Sequence, residues 1–373
     1  MLLLNTTTSE FQDALELVRE YGEDSLSYLT LEQGKKYFFA KSCEGFIAYV
    51  VVGRIAVCLS NPICSKEHLK NFLSEFRGFC EENKLRICLC SVGGEIVKIL
   101  EQDGYCVAKY GEEAILDLSI YQTVGSSTSK LRQKLRRAEK SGIKTVEYQP
   151  QKHRDFNLEQ KIVSVSEEWY ADKNGRLTFT LGEINLDNPL DRRYFIAMDE
   201  NEEIQAILVF APFSRREGYF LDVMRRRKDS IPGVMEKAII DSAMKMRDEG
   251  VSWLSLGVAP LAGIDKQEKM NLLEKCLNLA YNYMNYNYGF KTLYDYKRKF
   301  APSQWQPRYV VYQPDLSCFQ VGCAMLKARN VDDFCYQFTL GIWNAGKNSA
   351  KTAVKQILAR YTNTINNKFN YER

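Results

Sequence analysis

The densest run of chemically capable side chains extends from Gly218 to Val234, GYFLDVMRRRKDSIPGV. An apolar strand delivers one carboxylate, Asp222, near its end, and four cations follow at once: Arg225, Arg226, Arg227 and Lys228. Pro232-Gly233 then turns the chain into a helix. A glycine-bearing turn at a helix N-terminus presents free backbone N–H groups and the positive dipole end, which suits a phosphate. A pyrophosphate such as that of an acyl-coenzyme A is one ligand it would suit. Arginines are also frequent on surface loops, which leaves a solvated face as the other reading.

Two further basic stretches stand out. In 287–312, Lys291, Lys297, Arg298, Lys299 and Arg308 alternate with Phe290, Tyr294, Tyr296, Phe300, Trp305 and Tyr309. Interleaved cations and aromatics can bind phosphate while stacking on a base or covering an acyl chain. A buried aromatic strand with snorkelling lysines gives the same composition. In SSTSKLRQKLRRAEKSGIK, seven cations (Lys130, Arg132, Lys134, Arg136, Arg137, Lys140 and Lys144) face one acid, Glu139. Leu131, Leu135 and Ala138 recur at helical spacing, so one stripe packs while the rest stays basic, and Gly142 fits a helix stop. The excess charge suits a phosphate-rich partner as well as a solvated face.

Metal and histidine chemistry find little support. The chain has two histidines, His68 in a charged helix and His153 in a polar loop, both read as surface residues, and no metal site is expected. Of eleven cysteines, Cys58, Cys88, Cys90, Cys106 and Cys276 lie in apolar runs, where a reduced thiol packs as a small hydrophobe. With no CxxC pair and no secretory signal after Met1, a reducing, cytoplasmic location is expected.

These residues need a frame. At 373 residues, with 45% hydrophobic and 26% charged residues, the chain is an ordinary globular one, long enough for two domains. The net charge of +4 requires no polyanion by itself. Periodicity predicts a helix at 9–21, strands at 36–41, 46–52 and 54–59, a helix at 65–83, a strand at 85–92, a helix at 94–102, and strands near 105–109 and 113–118. The order then repeats: a helix at 157–172, strands at 194–198, 204–211 and 218–224, a helix at 233–248, a strand at 252–258, a helix at 266–286 and a last strand at 308–313. The most apolar stretch, 46–59, is interrupted by Gly53-Arg54 and too short to cross a membrane.

That repeated layout predicts an α/β (α+β) fold of two tandem lobes of the acetyltransferase (GNAT) type, 1–127 and 145–314, joined by a basic helix within 128–144. Beyond 315 a helical tail is expected, with Ala350, Ala353, Val354, Ile357, Leu358, Tyr361 and Ile365 in one stripe flanked by Lys351, Lys355 and Arg360. Such a helix docks on its own domain, a partner or an anionic membrane surface.

The segments GEEAILDLS (111–119), KLRQKLRRAEKSG (130–142), FLDVMRRRKDSIPGVME (220–236), SLGVAPLAG (255–263) and YDYKRKFAPSQWQPRYVVY (294–312) closely resemble, in order, the catalytic domain of the phosphatidylglycerol lysyltransferases. YFFAKSCEGFIAYVVVGRIAVCLSNPI (37–63) is similar to that family's N-terminal lobe. The resemblance covers about residues 30 to 313. It implies a tandem acetyltransferase-like transferase that moves an aminoacyl group from aminoacyl-tRNA to the glycerol hydroxyl of phosphatidylglycerol, with no metal and no cofactor besides the tRNA donor. It places catalytic roles on Asp222, Arg225 and Lys299, and substrate contacts on Arg226, Arg227, Gly233, Lys297 and Arg308. The basic helix (Lys130, Arg132, Lys134, Arg136, Arg137, Lys140) would meet tRNA phosphate, with no DNA partner expected.

Family members carry a multi-span membrane domain ahead of this region and end near PRYVVY; replacing that anchor, with a peripheral association, is one role open to the tail beyond 315 beside docking on its own domain. Three alternatives stay open: a tRNA-dependent ligase acting on a peptide or cell-wall precursor amine, an acyl-coenzyme A N-acyltransferase, and a binding module without catalysis.

Overall fold

The computed structural model describes residues 8–172, 182–260, 262–263 and 290–328. The first half runs α1 (Thr8–Tyr21), β1 (Lys36–Phe39), β2 (Gly45–Val52), β3 (Ile55–Leu59), β4 (Ile63–Cys64), α2 (Leu69–Glu82), β5 (Arg86–Val92), α3 (Glu95–Gln102) and β6 (Cys106–Asp117). The helix α4 (Ser129–Lys140) leads to β7 (Lys144–Tyr148), α5 (Phe156–Asp172), β8 (Arg193–Met198), β9 (Ile204–Phe213), β10 (Gly218–Arg226), α6 (Val234–Asp248) and β11 (Trp253–Pro260). Then follow α7 (Phe290–Arg298), β12 (Gln304–Tyr312) and α8 (Cys318–Ala328). The helix expected at 266–286, Cys276 and the apolar stripe of 350–365 lie outside the described residues. The start of the expected helical tail is present as α8.

Among the described residues, twelve strands form one sheet in the order β1-β2-β3-β5-β12-β6-β11-β10-β9-β8-β7, with β4 on β2. The closing strands of the two halves are exchanged. β12, late in the chain, lies between β5 and β6 of the first half, and β6 pairs with β11 of the second. One parallel pair sits in each half, β3–β5 and β10–β11, and every other pairing is antiparallel.

Helices cover both faces. Phe72, Phe76 and Cys80 of α2 pack with Cys58 and Leu89 on one face of the first half, and α1 and α8 cover the other with Leu15, Val18 and Val321. In the second half, Phe195 and Leu221 face α6 and α4 (Ile239, Leu131, Ala138), while Tyr194 and Val223 face α5 (Ile162, Val165). The predicted stripe of α4 is the buried one, and Leu131 and Ala138 have no exposed surface. This alternation between adjacent residues follows from the two-residue period of a strand.

One local expectation is corrected, and one strand adds to those expected. Strands expected at 105–109 and 113–118 are one strand, β6, because Glu113 is fully buried and paired rather than marking a break. The segment after the basic helix forms the edge strand β7, whose polar, partly exposed residues suit a sheet edge and mask its periodicity.

Candidate active site

β10 and β11 pair only over Gly218–Phe220 with Trp253–Ser255, after which β10 continues along β9 and β11 along β6. Both strands shift register where they part, between Leu221 and Val223 and between Ser255 and Val258. A bulge of this kind redirects a side chain. Leu221 and Met224 join the α6-side core whereas Val223 joins the α5-side core, so the shift turns β10 over at Asp222.

Asp222 is almost wholly buried. Its Oδ1 accepts the Gly182 N–H at 2.8 Å, and a β-carbon at 182 would collide with the carboxylate. Among the described residues its buried Oδ2 has no hydrogen-bond partner; it lies 3.7 Å from Arg192 Nε, which is likewise unsatisfied there. Burial pushes the Asp222 carboxyl above its ordinary value, against the pull of Arg192, the Gly182 N–H and Lys35. An orphaned buried oxygen of this kind is costly and marks a place for an incoming donor.

Arg225, three residues on, points toward α5. Its Nη2 donates to Tyr170 Oη at 2.6 Å, and its guanidinium carbon lies 4.4 Å from the Tyr170 ring centroid and 5.6 Å from that of Trp169. It lines a cleft of ≈ 520 Å³ together with Tyr170, Arg154, Glu167 and Glu183, with the exposed rings and branches of Phe156 and Val163 at its rim.

Lys297 of α7 reaches the parting of β10 and β11. Its Nζ donates to Val258 O at 2.8 Å, beside Gly257 and close to the Phe220 ring. Burial lowers this amine to about 7, partly opposed by the charge of Glu113. An amine with that value exchanges a proton near neutrality.

The remaining expected residues fall elsewhere. Lys299 lies on the α6 face, its Nζ 3.1 Å from Glu236 Oε1 and 4.5 Å from the Tyr296 ring centroid, across the sheet from Asp222. Arg226 Nη1 donates to Ser230 Oγ at 2.8 Å, and Arg227 Nε to Ile204 O at 2.7 Å with Glu168 3.5 Å from Nη1. Gly233 has φ +96°, and a β-carbon there would stand 2.4 Å from the Lys134 carbonyl oxygen, so α4 covers the turn that was expected to cradle phosphate. Arg308 is buried: Nε donates to Glu113 Oε2 at 2.7 Å, Nη1 to Asp24 Oδ2 at 2.5 Å, and Nη2 to Glu113 and to Ser25 Oγ. That guanidinium holds strands and loop together inside the protein.

On α4, Lys130, Arg136, Arg137 and Lys140 are exposed. Lys134 is half-buried, and Arg132 Nη1 donates to the Thr123 and Gly125 carbonyls, closing the preceding loop. His68 and His153 are both exposed. No helix among the described residues is long and apolar enough to cross a membrane. Sequence reasoning missed Glu32, Lys35 and Arg192 around Asp222, since solitary charges in unremarkable stretches carry no local signal.

Residues 15–312 match the family model for the C-terminal region of phosphatidylglycerol lysyltransferase. An uncharacterized protein of Corynebacterium glutamicum is 28% identical over 330 residues, covering 86% of this chain and 41% of its own length. A phosphatidylglycerol lysyltransferase of Staphylococcus epidermidis is 24% identical over 315 residues, covering 84% and 37%. This chain therefore spans about two fifths of the length of those relatives. The solved structure of L-PGS from Bacillus licheniformis superposes with a TM-score of 0.74 at 23% identity, covering 86% of this chain and 96% of that one, which bears out the expected fold. With the family model matched across both halves of the sheet, the resemblance read from the motifs holds, and the chain belongs to the phosphatidylglycerol lysyltransferase C-terminal domain family.

Proposed function

We propose that this domain transfers an aminoacyl group from aminoacyl-tRNA to a hydroxyl of phosphatidylglycerol or a similar lipid. The observation that carries the reading is Asp222, a buried carboxylate with one unsatisfied oxygen at the bulge where β10 leaves β11, in a chain of this family. The aminoacyl ester is already activated, so the protein has to place the hydroxyl, accept its proton and steady the oxyanion. The lipid hydroxyl oxygen bonds to the ester carbonyl carbon and gives up its proton. The bond from that carbon to the ribose oxygen then breaks, and the ribose hydroxyl regains a proton. Asp222 serves as acceptor for the attacking hydroxyl, and the near-neutral amine of Lys297 serves as a proton-exchanging group. Arg225, at the wall of a cleft with an apolar rim, supplies the cation for a phosphate. The exposed cations of α4 would meet tRNA, and association with the membrane would be peripheral.

The acyl-coenzyme A reading has weaker support, because α4 covers the Gly233 turn and Lys297 enters the parting of the strands. The test mixes the protein with tRNA charged separately with labelled lysine, alanine or arginine and with phosphatidylglycerol vesicles, following label into lipid. Label in lipid from wild type, and its loss by about 100-fold or more in Asp222→Asn, is the expected result. Transfer to a peptide amine without lipid label would replace the lipid acceptor, and full activity of Asp222→Asn would remove that residue from the mechanism.

A further inference from the structure

Three other ionisable side chains, from both halves of the chain, meet Asp222 inside the protein. Arg192, just before β8, has Nη2 2.5 Å from Glu32 Oε1 and Nε 3.7 Å from Asp222 Oδ2. Its guanidinium carbon lies 5.9 Å from the Tyr28 ring centroid. Glu32 and Lys35 belong to the segment leading into β1, and Lys35 is buried within electrostatic reach of Glu32, Asp222 and Arg192. The neighbouring Asp191 fixes the crossing: it accepts from Tyr28 Oη at 2.6 Å and pairs with Arg19 and Arg216 at 2.7 Å each. Two cations and two carboxylates leave the cluster formally neutral, the condition under which buried charges are tolerated.

We propose that Arg192, clamped by Glu32 from the first half of the chain, is the positioning residue for Asp222, and that Lys35 completes the balanced cluster holding that carboxylate. The site of the second half is thereby completed by residues of the first, which gives the fused sheet a functional reason. The proposal rests on the reading of Asp222 as the reacting carboxylate. Arg192 Nε and Asp222 Oδ2 are both buried and unsatisfied. Arg192 therefore fixes the carboxylate through charge without tying Oδ2 in a hydrogen bond, where a closed two-point pair would occupy it.

The charged and titratable groups facing the cluster are Arg192 and Tyr194 from β8 and its approach, Glu32 and Lys35 from the first half, and Glu183 and Tyr37, which act through Glu32. Burial raises Asp222, while Arg192 and Lys35 lower it. Removing either cation therefore raises it further and moves the acid limb of any Asp222-dependent rate to higher pH, by about one unit or more for a charge at this range.

The experiment compares wild type, Arg192→Gln, Arg192→Lys, Lys35→Met and Asp222→Asn as full chains. It measures kcat, KM, the pH profile of transfer, and the Asp222 carboxyl titration by carbon NMR, assigned by the signal missing in Asp222→Asn. Expected are a loss in kcat on the order of a hundredfold in Arg192→Gln with KM little changed, partial rescue in Arg192→Lys, and an upward shift of the Asp222 titration in both Arg192→Gln and Lys35→Met. An unmoved titration and wild-type kcat in these variants would overturn the proposal while leaving Asp222 in its role. Activity in Asp222→Asn would overturn the functional reading instead, and the NMR titration would still decide whether Arg192 and Lys35 hold that carboxylate. Should Arg192→Gln fail to fold, Lys35→Met carries the test, and an unshifted titration there counts against it.

Discussion

Arg308 of β12 and Glu113 of β6 form an ion pair with no access to solvent for the carboxylate, Nε and Nη2 both directed at Oε2. Glu113 Oε1 also accepts from Ser25 Oγ at 2.5 Å and from Ser255 Oγ, so one carboxylate ties β6, β11, β12 and the loop after α1. The pair sits where the closing strands of the two halves are exchanged. Removing one partner strands a buried charge, and Arg308→Met or Glu113→Gln should cost about 3–5 kcal/mol. Denaturant unfolding of the variants checks this, and the loss should appear with no tRNA or lipid present.

Lys297 makes stability depend on pH in a defined direction. Its folded value, about 7, lies below that of an unfolded lysine. Between those two values the unfolded chain binds a proton that the folded chain does not, so stability rises with pH through that window. Below about 7 both states carry the proton and the dependence from this group ends. Comparing wild type with Lys297→Met by chemical unfolding from pH 6 to 10 should show a slope difference of roughly one proton. Lys35, lowered by burial to about 8, contributes equally to both proteins and drops out of the difference.

Gly233 is the close-contact point between α4 and the first turn of α6. Its φ of +96° and the Lys134 carbonyl both exclude a side chain. Gly233→Ala should destabilise the protein by roughly 1–3 kcal/mol. Thermal unfolding measures the loss, and a value near zero would show that α4 moves aside without cost.

The exposed cations of α4 give a salt-dependent prediction. Replacing Lys130, Arg136, Arg137 and Lys140 by Ala should leave thermal stability nearly unchanged, because the buried stripe Leu131 and Ala138 is retained. If these residues meet tRNA phosphates, each lost contact reduces the slope of log K against log salt by about 0.7–0.9. Fluorescence titration with tRNA at several salt concentrations reads that slope. An unchanged slope would make α4 a solvated face.

What the sequence determined by itself is local. The periods of α1 and α4, the apolar runs of β2, β3, β9 and β10, and the ordered motifs of the family are contained in neighbouring residues, because helix and strand periods depend on spacing alone. Asp222 and Arg225 were legible for the same reason, as a carboxylate and a cation closing an apolar strand. Tertiary structure alone decided which strands lie together. Nothing local in QWQPRYVVY says that β12 will insert between β5 and β6, since strand pairing is set by contacts distant in sequence. The same distance hid the partners of the cations. Arg308 reads as a phosphate ligand until Glu113, 195 residues away, closes on it. Arg192, Glu32 and Lys35 carry no local signal until the fold brings them beside Asp222. A charge is readable from sequence, but its role follows from burial and from the sign of its nearest neighbour, and both of those are properties of the folded chain.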